Sequence, residues 1–219
     1  MAVESERSGA AMPLLIFPCN GNGLEALGCL GAAYRCAGFV DDTPAKQGQV
    51  VAGLPVLDRG ALGRSADAAV LAVPGSPTSY RSRGGLIASL GVEPDRFARV
   101  IHPQAFVSPL AAVGRNVLVM AGAVVTSNAV IGDHVIIMPN TVVHHDVVIG
   151  SYSLVGGNVT IAGGTVVGEH CYVGSGASIK NGLAVGDRAL IGLGSTVIRD
   201  VPADACVAGT PARPIERSE

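Results

Sequence analysis

From Ile101 onward, every sixth residue of the chain is valine or isoleucine. The run goes from Ile101, Val107 and Val113 to Ile191 and Val197 without a break over seventeen positions. Two residues before these aliphatics the side chains are mostly small or thin: Ala123, Ala129, Thr141, Ser153, Thr165, Cys171, Ala177, Ala189 and Ser195. A longer period lies on top, because Gly114, Gly132, Gly150, Gly168 and Gly186 each follow an aliphatic and recur every eighteen residues. No α-helix keeps such positions on one face, since six residues turn it by about 600°. Three six-residue edges per turn make a triangular coil with one β-branched side chain pointing inward from each edge, and glycine suits a corner that a side chain would obstruct. A single coil cannot bury its own core, so several must stack. The pattern predicts a parallel β-helix over residues 99–201, closed by a C-terminal segment at 202–219.

Before this repeat the pattern is different. Apolar runs at Pro13–Phe17, Cys36–Val40 and Ala68–Val73 read as strands, with Gly53–Leu57 as a short strand or loop. Helical character is expected over Leu24–Tyr34 and from about Arg81 to Leu90. Strands alternating with helices predict a small parallel α/β unit over residues 12–98, in the manner of a Rossmann-like half domain, with 1–11 as a disordered tail.

Composition narrows the function classes. The chain has 219 residues, a formal net charge of −2 and only 15% charged residues. No basic run offers a face to nucleic acid or to a membrane, and no apolar run approaches the roughly 18 residues of a membrane span. The N-terminus carries acids and has no apolar core of a signal peptide, which leads us to expect a cytoplasmic protein. Five cysteines without a C-x-x-C spacing are expected to be buried free thiols.

Candidate chemistry sits at two places. The first is Asn140-Thr141-Val142-Val143-His144-His145-Asp146, where the residues alone read either as solvated turn histidines or as a proton acceptor oriented by a neighbouring carboxylate. Stacking at eighteen residues puts Gly163, within Ala162-Gly163-Gly164, one coil beyond His145. An open N–H there can receive a developing oxyanion, or the glycine can be a plain corner residue. The second place is Gly21-x-Gly23-x-x-Ala26 between a strand and a helix, with Asp41-Asp42 ending the next strand. This formally fits a dinucleotide fingerprint, but the α/β unit, about 85 residues long, is nearer one mononucleotide-binding half.

The repeat, the preceding α/β unit and the His-His-Asp motif resemble the hexapeptide-repeat acetyltransferases of the sialic acid, bacillosamine and perosamine group. That resemblance implies a left-handed β-helix, a homotrimer with sites shared between copies, and acetyl-CoA as co-substrate with no metal required. It implies N-acetylation of a nucleotide-linked amino sugar such as a 4-amino-4,6-dideoxyhexose, with His145 as general base and Asp146 as its partner. It assigns Leu154, Gly163, Ser175 and Leu193 to acetyl-CoA, with Lys180 and Arg213 as candidate phosphate contacts. Asn22, Gly23, Leu24, Asp41, Asp42 and Gly75 fall to the nucleotide sugar. The chain departs from the family pattern at Pro18, where a glycine normally begins the loop, at Asn22, where histidine is frequent, and at Leu154, where some relatives carry a second histidine. Three other readings stay open at this point: O-acetylation of a sialic acid or other sugar hydroxyl, a non-catalytic sugar-binding scaffold, and a metal enzyme of the gamma carbonic anhydrase type. The last would use His134 and His170, which stand two coils apart.

Overall fold

A computed structural model describes residues 11–216. The expected tail at 1–11 therefore lies outside the described residues except for Ala11, as does the end of the C-terminal segment at 217–219.

Beyond Val100 the chain winds as a triangular prism of two-residue strands. Face one carries Val100–Ile101, Leu118–Val119, Ile136–Ile137, Leu154–Val155, Tyr172–Val173 and Leu190–Ile191. Face two runs from Phe106–Val107 to Thr196–Val197, and face three from Ala112–Val113 to Ala184–Val185. Within each face the strands are parallel and pair one coil apart, as in Val124 with Val142 and Val125 with Val143. The second residue of each strand points inward, and from Val119 to Val197 these aliphatics are buried in one continuous core. The thin residues two positions earlier fill the edges. Where they are polar they bond inside the prism: Thr141 Oγ1 donates to the Gly156 carbonyl at 2.7 Å and Ser153 Oγ to that of Gly168 at 2.8 Å. Buried hydroxyls are thereby satisfied.

The edges turn through a left-handed residue that the glycine spacing did not mark. Asn128 has φ 59°, Asn140 59°, Asp146 58° and Asn158 55°, and Asn and Asp enter this region more readily than most side chains. The recurrent glycines act instead by clearance. A Cβ on Gly150 would stand 2.5 Å from the carbonyl carbon of Gly168, and one on Gly132 2.7 Å from the amide nitrogen of Ser151.

The N-terminal half forms a five-stranded sheet of β1 (Met12–Phe17), β2 (Tyr34–Val40), β3 (Val50–Val51), β4 (Leu54–Leu57) and β5 (Ala69–Ala72), in the order β3-β4-β2-β1-β5. All neighbours are parallel except β3 with β4. The first helix, α1, spans Gly21–Leu27 rather than Leu24–Tyr34. Asn20 caps it by accepting from the Gly23 amide at 3.0 Å. Gly28 and Gly31 disfavour its continuation, and Tyr34 already belongs to β2. After α2 (Ala61–Arg64), the third helix, α3, covers Arg83–Ala88.

The two halves share a core. Leu118, Ile136 and Leu154, which face outward on face one, are buried with Leu14, Ile16, Leu71 and Val73 in a single cluster. The edge leading from face three to face one is covered as well. There Phe97 meets His134 edge-on at 5.1 Å, and His134, Tyr152 and His170 stack nearly parallel at 4.6 and 4.7 Å. Tyr152 fills the space between the two histidines, so the metal reading of His134 and His170 is corrected: they are struts of the seam. Among the described residues no group of three His, Cys, Asp or Glu could hold a metal ion. The five cysteines are free, and burial raises the Cys171 thiol to about 11.

Two predictions follow from this packing. Gly150→Ala should lower stability by about 1–3 kcal/mol, because its Cβ meets backbone that cannot yield cheaply. Gly85→Ala, in an open position on α3, should be neutral or raise stability by a few tenths of a kcal/mol to ~1 kcal/mol; chemical denaturation compares them. Burial first, and then the Arg83 charge, hold His134 down at about 4, against 6.5 when unfolded. The unfolded chain therefore takes up a proton as pH falls from 6.5 towards 4 while the native chain does not, so stability drops over that window by about 2–3 kcal/mol. His134→Phe keeps the stacked ring without the proton site, and its unfolding midpoint should fall less steeply across the same pH range.

Candidate active site

His145 and Asp146 occupy the edge between faces two and three, which the N-terminal half does not cover. Both are open to solvent, with side-chain exposures of 66% and 56%. The left-handed turn at Asp146 brings its carboxylate back to the preceding ring, and Nδ1 of His145 lies 2.7 Å from Asp146 Oδ2. The other oxygen, Oδ1, accepts from Asn128 Nδ2 at 3.1 Å, one coil below. The bond to His145 and then that to Asn128 hold the Asp146 carboxyl below its ordinary range. An ionised carboxylate only accepts, so the hydrogen of a neutral His145 ring sits on Nδ1 and the Nε2 lone pair is left free.

Gly163 lies where the stacking arithmetic put it. A Cβ on it would fall 2.6 Å from both Cε1 and Nε2 of His145, so only glycine lets the imidazole lie against the next coil. The Gly164 amide donates to the His145 carbonyl at 3.0 Å and the Gly182 amide to that of Gly163 at 3.0 Å. The Gly163 amide itself donates to no backbone acceptor among the described residues. A histidine with a free Nε2 and an unspent N–H beside it can accept a proton and stabilise an oxyanion at one spot. Lys180 is exposed on the same side, two coils beyond His144.

The remaining expected contacts lie elsewhere. Ser175 and Leu193 stand on the edge between faces one and two. Ser175 Oγ accepts from the Gly157 amide at 3.1 Å, and Leu193 is 72% exposed. Arg213 is exposed in the closing strand Arg213–Pro214. The Leu154 side chain is 1% exposed and sealed under the N-terminal half, with its Cδ1 against Gly75, so only its backbone or its packing could serve a ligand.

In the N-terminal half, Gly23 is needed for close approach, since a Cβ would lie 2.2 Å from the Pro18 carbonyl oxygen. Leu24 is 41% exposed. Asn22 Nδ2 donates to the carbonyls of Val73 and Gly75, each at 3.2 Å, which joins two of the expected substrate residues. The two acids are already paired within the chain. Asp41 is 3% exposed, and its Oδ2 accepts from the Cys19 amide and Lys46 Nζ while Oδ1 accepts from the Thr43 amide. Burial works against its charge, but the Thr43 and Lys46 bonds prevail and hold it below the ordinary value. Asp42 is paired with Arg59 through two bonds. Both acids brace the loop ends, Asp41 from the interior and Asp42 at the surface.

Topology separates the two groups of residues within one chain. The α/β half lies over face one, α1 borders the edge at Met120, Ala121 and Pro139, and α3 borders the aromatic edge. His145 projects from the edge opposite face one. Sequence reasoning missed Asn128, although the eighteen-residue spacing to Asp146 could have found it, and it missed Arg83, which no spacing marks.

A family model for the bacterial transferase hexapeptide, of six repeats, matches residues 128–163. Among solved structures, the chain is similar to perosamine N-acetyltransferase PerB from Caulobacter crescentus in complex with CoA and GDP-perosamine. The identity is 29%, the coverage is 95% of this chain and 99% of that one, and the TM-score is 0.82. It is similar to the acetyltransferase domain of PglB from Neisseria gonorrhoeae FA1090 in complex with acetyl coenzyme A, at 29% identity, 94% and 100% coverage and a TM-score of 0.81. WeeI from Acinetobacter baumannii AYE matches at 25% identity, 94% and 100% coverage and a TM-score of 0.79. No curated protein matches the sequence. Repeat, coil geometry and likeness along nearly the whole chain show a hexapeptide-repeat β-helix behind an α/β unit, similar in architecture to these acetyltransferase structures.

Proposed function

We propose that the protein transfers the acetyl group of acetyl-CoA to the amine of a nucleotide-linked amino sugar, by direct attack with His145 as general base. The observation that carries this reading is the solvent-facing His145–Asp146 pair laid against Gly163. The structures of the Caulobacter protein with CoA and GDP-perosamine and of the Neisseria domain with acetyl coenzyme A support the two substrate classes.

An amine attacks a thioester only after shedding its proton. His145 Nε2 takes that proton as the amine nitrogen bonds to the carbonyl carbon. Asp146 holds the ring in the tautomer with Nε2 free. The Gly163 N–H donates to the carbonyl oxygen as it becomes negative. The C–S bond then breaks, and the proton on His145 can pass to the departing sulfur. Nucleophilic catalysis by cysteine is not required, and no cysteine adjoins the histidine.

The proposal includes a left-handed helix and a homotrimer. One chain keeps its α/β half away from its own His145, whereas the edge of a neighbouring copy bearing Ser175 and Leu193 could face it. Faces two and three carry apolar side chains for such contact: Phe106 is 56% exposed, Val130 44% and Val166 47%.

His145→Ala should lower kcat for acetyl transfer by about 10²–10⁴-fold while leaving the unfolding midpoint close to wild type. The assay supplies labelled acetyl-CoA with a panel of nucleotide-linked amino sugars, their hydroxyl counterparts and free sialic acid. Transfer only to hydroxyls, or an unchanged rate in the variant, would overturn the reading. Light scattering should return about three times the 22.0 kDa chain mass; a monomer active at every dilution would remove the shared site.

A further inference from the structure

An arginine buried without a carboxylate is a costly element. Arg83, at the start of α3, is 1% exposed, and among the described residues it forms no salt bridge. Its Nε donates to the Pro74 carbonyl at 2.8 Å and its Nη1 to the His134 carbonyl, while Nη2 is buried without a partner. Burial pulls the guanidinium down to about 9. Adhesion between the halves does not call for this charge, because Leu118, Ile136 and Leu154 close the same seam with no polar group to satisfy.

What the guanidinium adds is a grip on a carbonyl. Pro74 lies between Val73 and Gly75, whose carbonyls both accept from Asn22. Three successive carbonyls are therefore held by side chains, two by the residue on α1 and one by the residue on α3. Gly75, at φ 135°, occupies a conformation that other residues rarely enter. Both Gly75 and Ser76 are partly exposed, and their amides donate to no backbone acceptor among the described residues. Unpaired successive amides on a rigid loop make a concavity suited to anionic oxygens.

We propose that Arg83 is a positioning residue, which fastens the Val73–Gly75 loop to the β-helix so that the Gly75 and Ser76 amides meet the phosphate oxygens of the nucleotide-linked substrate. This rests on the reading of the acceptor given above. Arg83 touches neither substrate itself.

The experiment uses the full chain with Arg83→Lys and Arg83→Met, measuring KM for each substrate, thermal unfolding, and calorimetric binding of GDP, UDP and CoA alone. Lysine keeps a cation that reaches one carbonyl, whereas methionine only fills the seam. Arg83→Lys should raise the acceptor KM by about 3- to 10-fold, the loss of one held hydrogen bond. Arg83→Met should raise it further, with the acetyl-CoA KM and CoA binding within about twofold of wild type in both. A mere packing role gives the reverse order, with methionine equal to or better than lysine, and that result overturns the proposal. So does an equal rise in both KM values, or loss of cooperative unfolding in both variants. If the wild type transfers acetyl groups and neither variant alters the acceptor KM, the Arg83 inference alone fails. If the wild type binds CoA but neither nucleoside diphosphate, and acetylates no nucleotide sugar, the reading of the acceptor fails and takes this inference with it.

Discussion

Each coil of the prism contributes three inward aliphatics and cannot shield them alone, so the core exists only as a stack. That requirement converts sequence separation into distance. Positions eighteen apart lie in contact, which sets the His145 ring on Gly163 and Asn128 under the Asp146 carboxylate. Clearance between coils is narrow enough that a Cβ on Gly150 or Gly163 would enter the space of backbone or ring atoms. The edge bearing His145 is therefore held at the spacing of the strands themselves.

The repeat is nearly the same on all three faces, yet the outward residues give them different roles. Large apolar residues at Leu118, Ile136 and Leu154 draw the α/β half onto face one. Aromatic and histidine side chains at His134, Tyr152 and His170 stack along the edge that α3 covers. The edge bearing His145 and Asp146 carries small and polar residues and stays open. The same asymmetry that protects the core places the α/β half and the histidine on opposite sides of one chain.

Charge is sparse, and most of it is used for bracing. Asp41 and Lys46 tie the end of β2 to the loop before α1, Asp42 pairs with Arg59, and Arg83 spans the seam. Asp146 differs, because its carboxylate is spent on a histidine that faces solvent. A carboxylate that secures backbone is structural, whereas one that orients an exposed imidazole has a partner able to do chemistry.

The sequence by itself determined the prism, its period, the inward positions and the stacking of His145 against Gly163, because all of these follow from a strict repeat in which each residue's neighbours lie a known number of positions away. It also carried the alternation of strands and helices in the first half, although α1 began at its asparagine cap rather than at Leu24. Tertiary structure alone decided which outward residues were exposed. Leu154 and Asp41 look available in the sequence, but Leu154 is sealed by the packing of one half on the other, Asp41 is buried within the α/β half against Cys19, Thr43 and Lys46, and Tyr152 interrupts the two histidines that the period aligned. Arg83 and its hold on the His134 carbonyl belong to the same category. No periodicity links residues of an α/β unit to residues of a β-helix, so contacts across that seam arise only when the two surfaces meet.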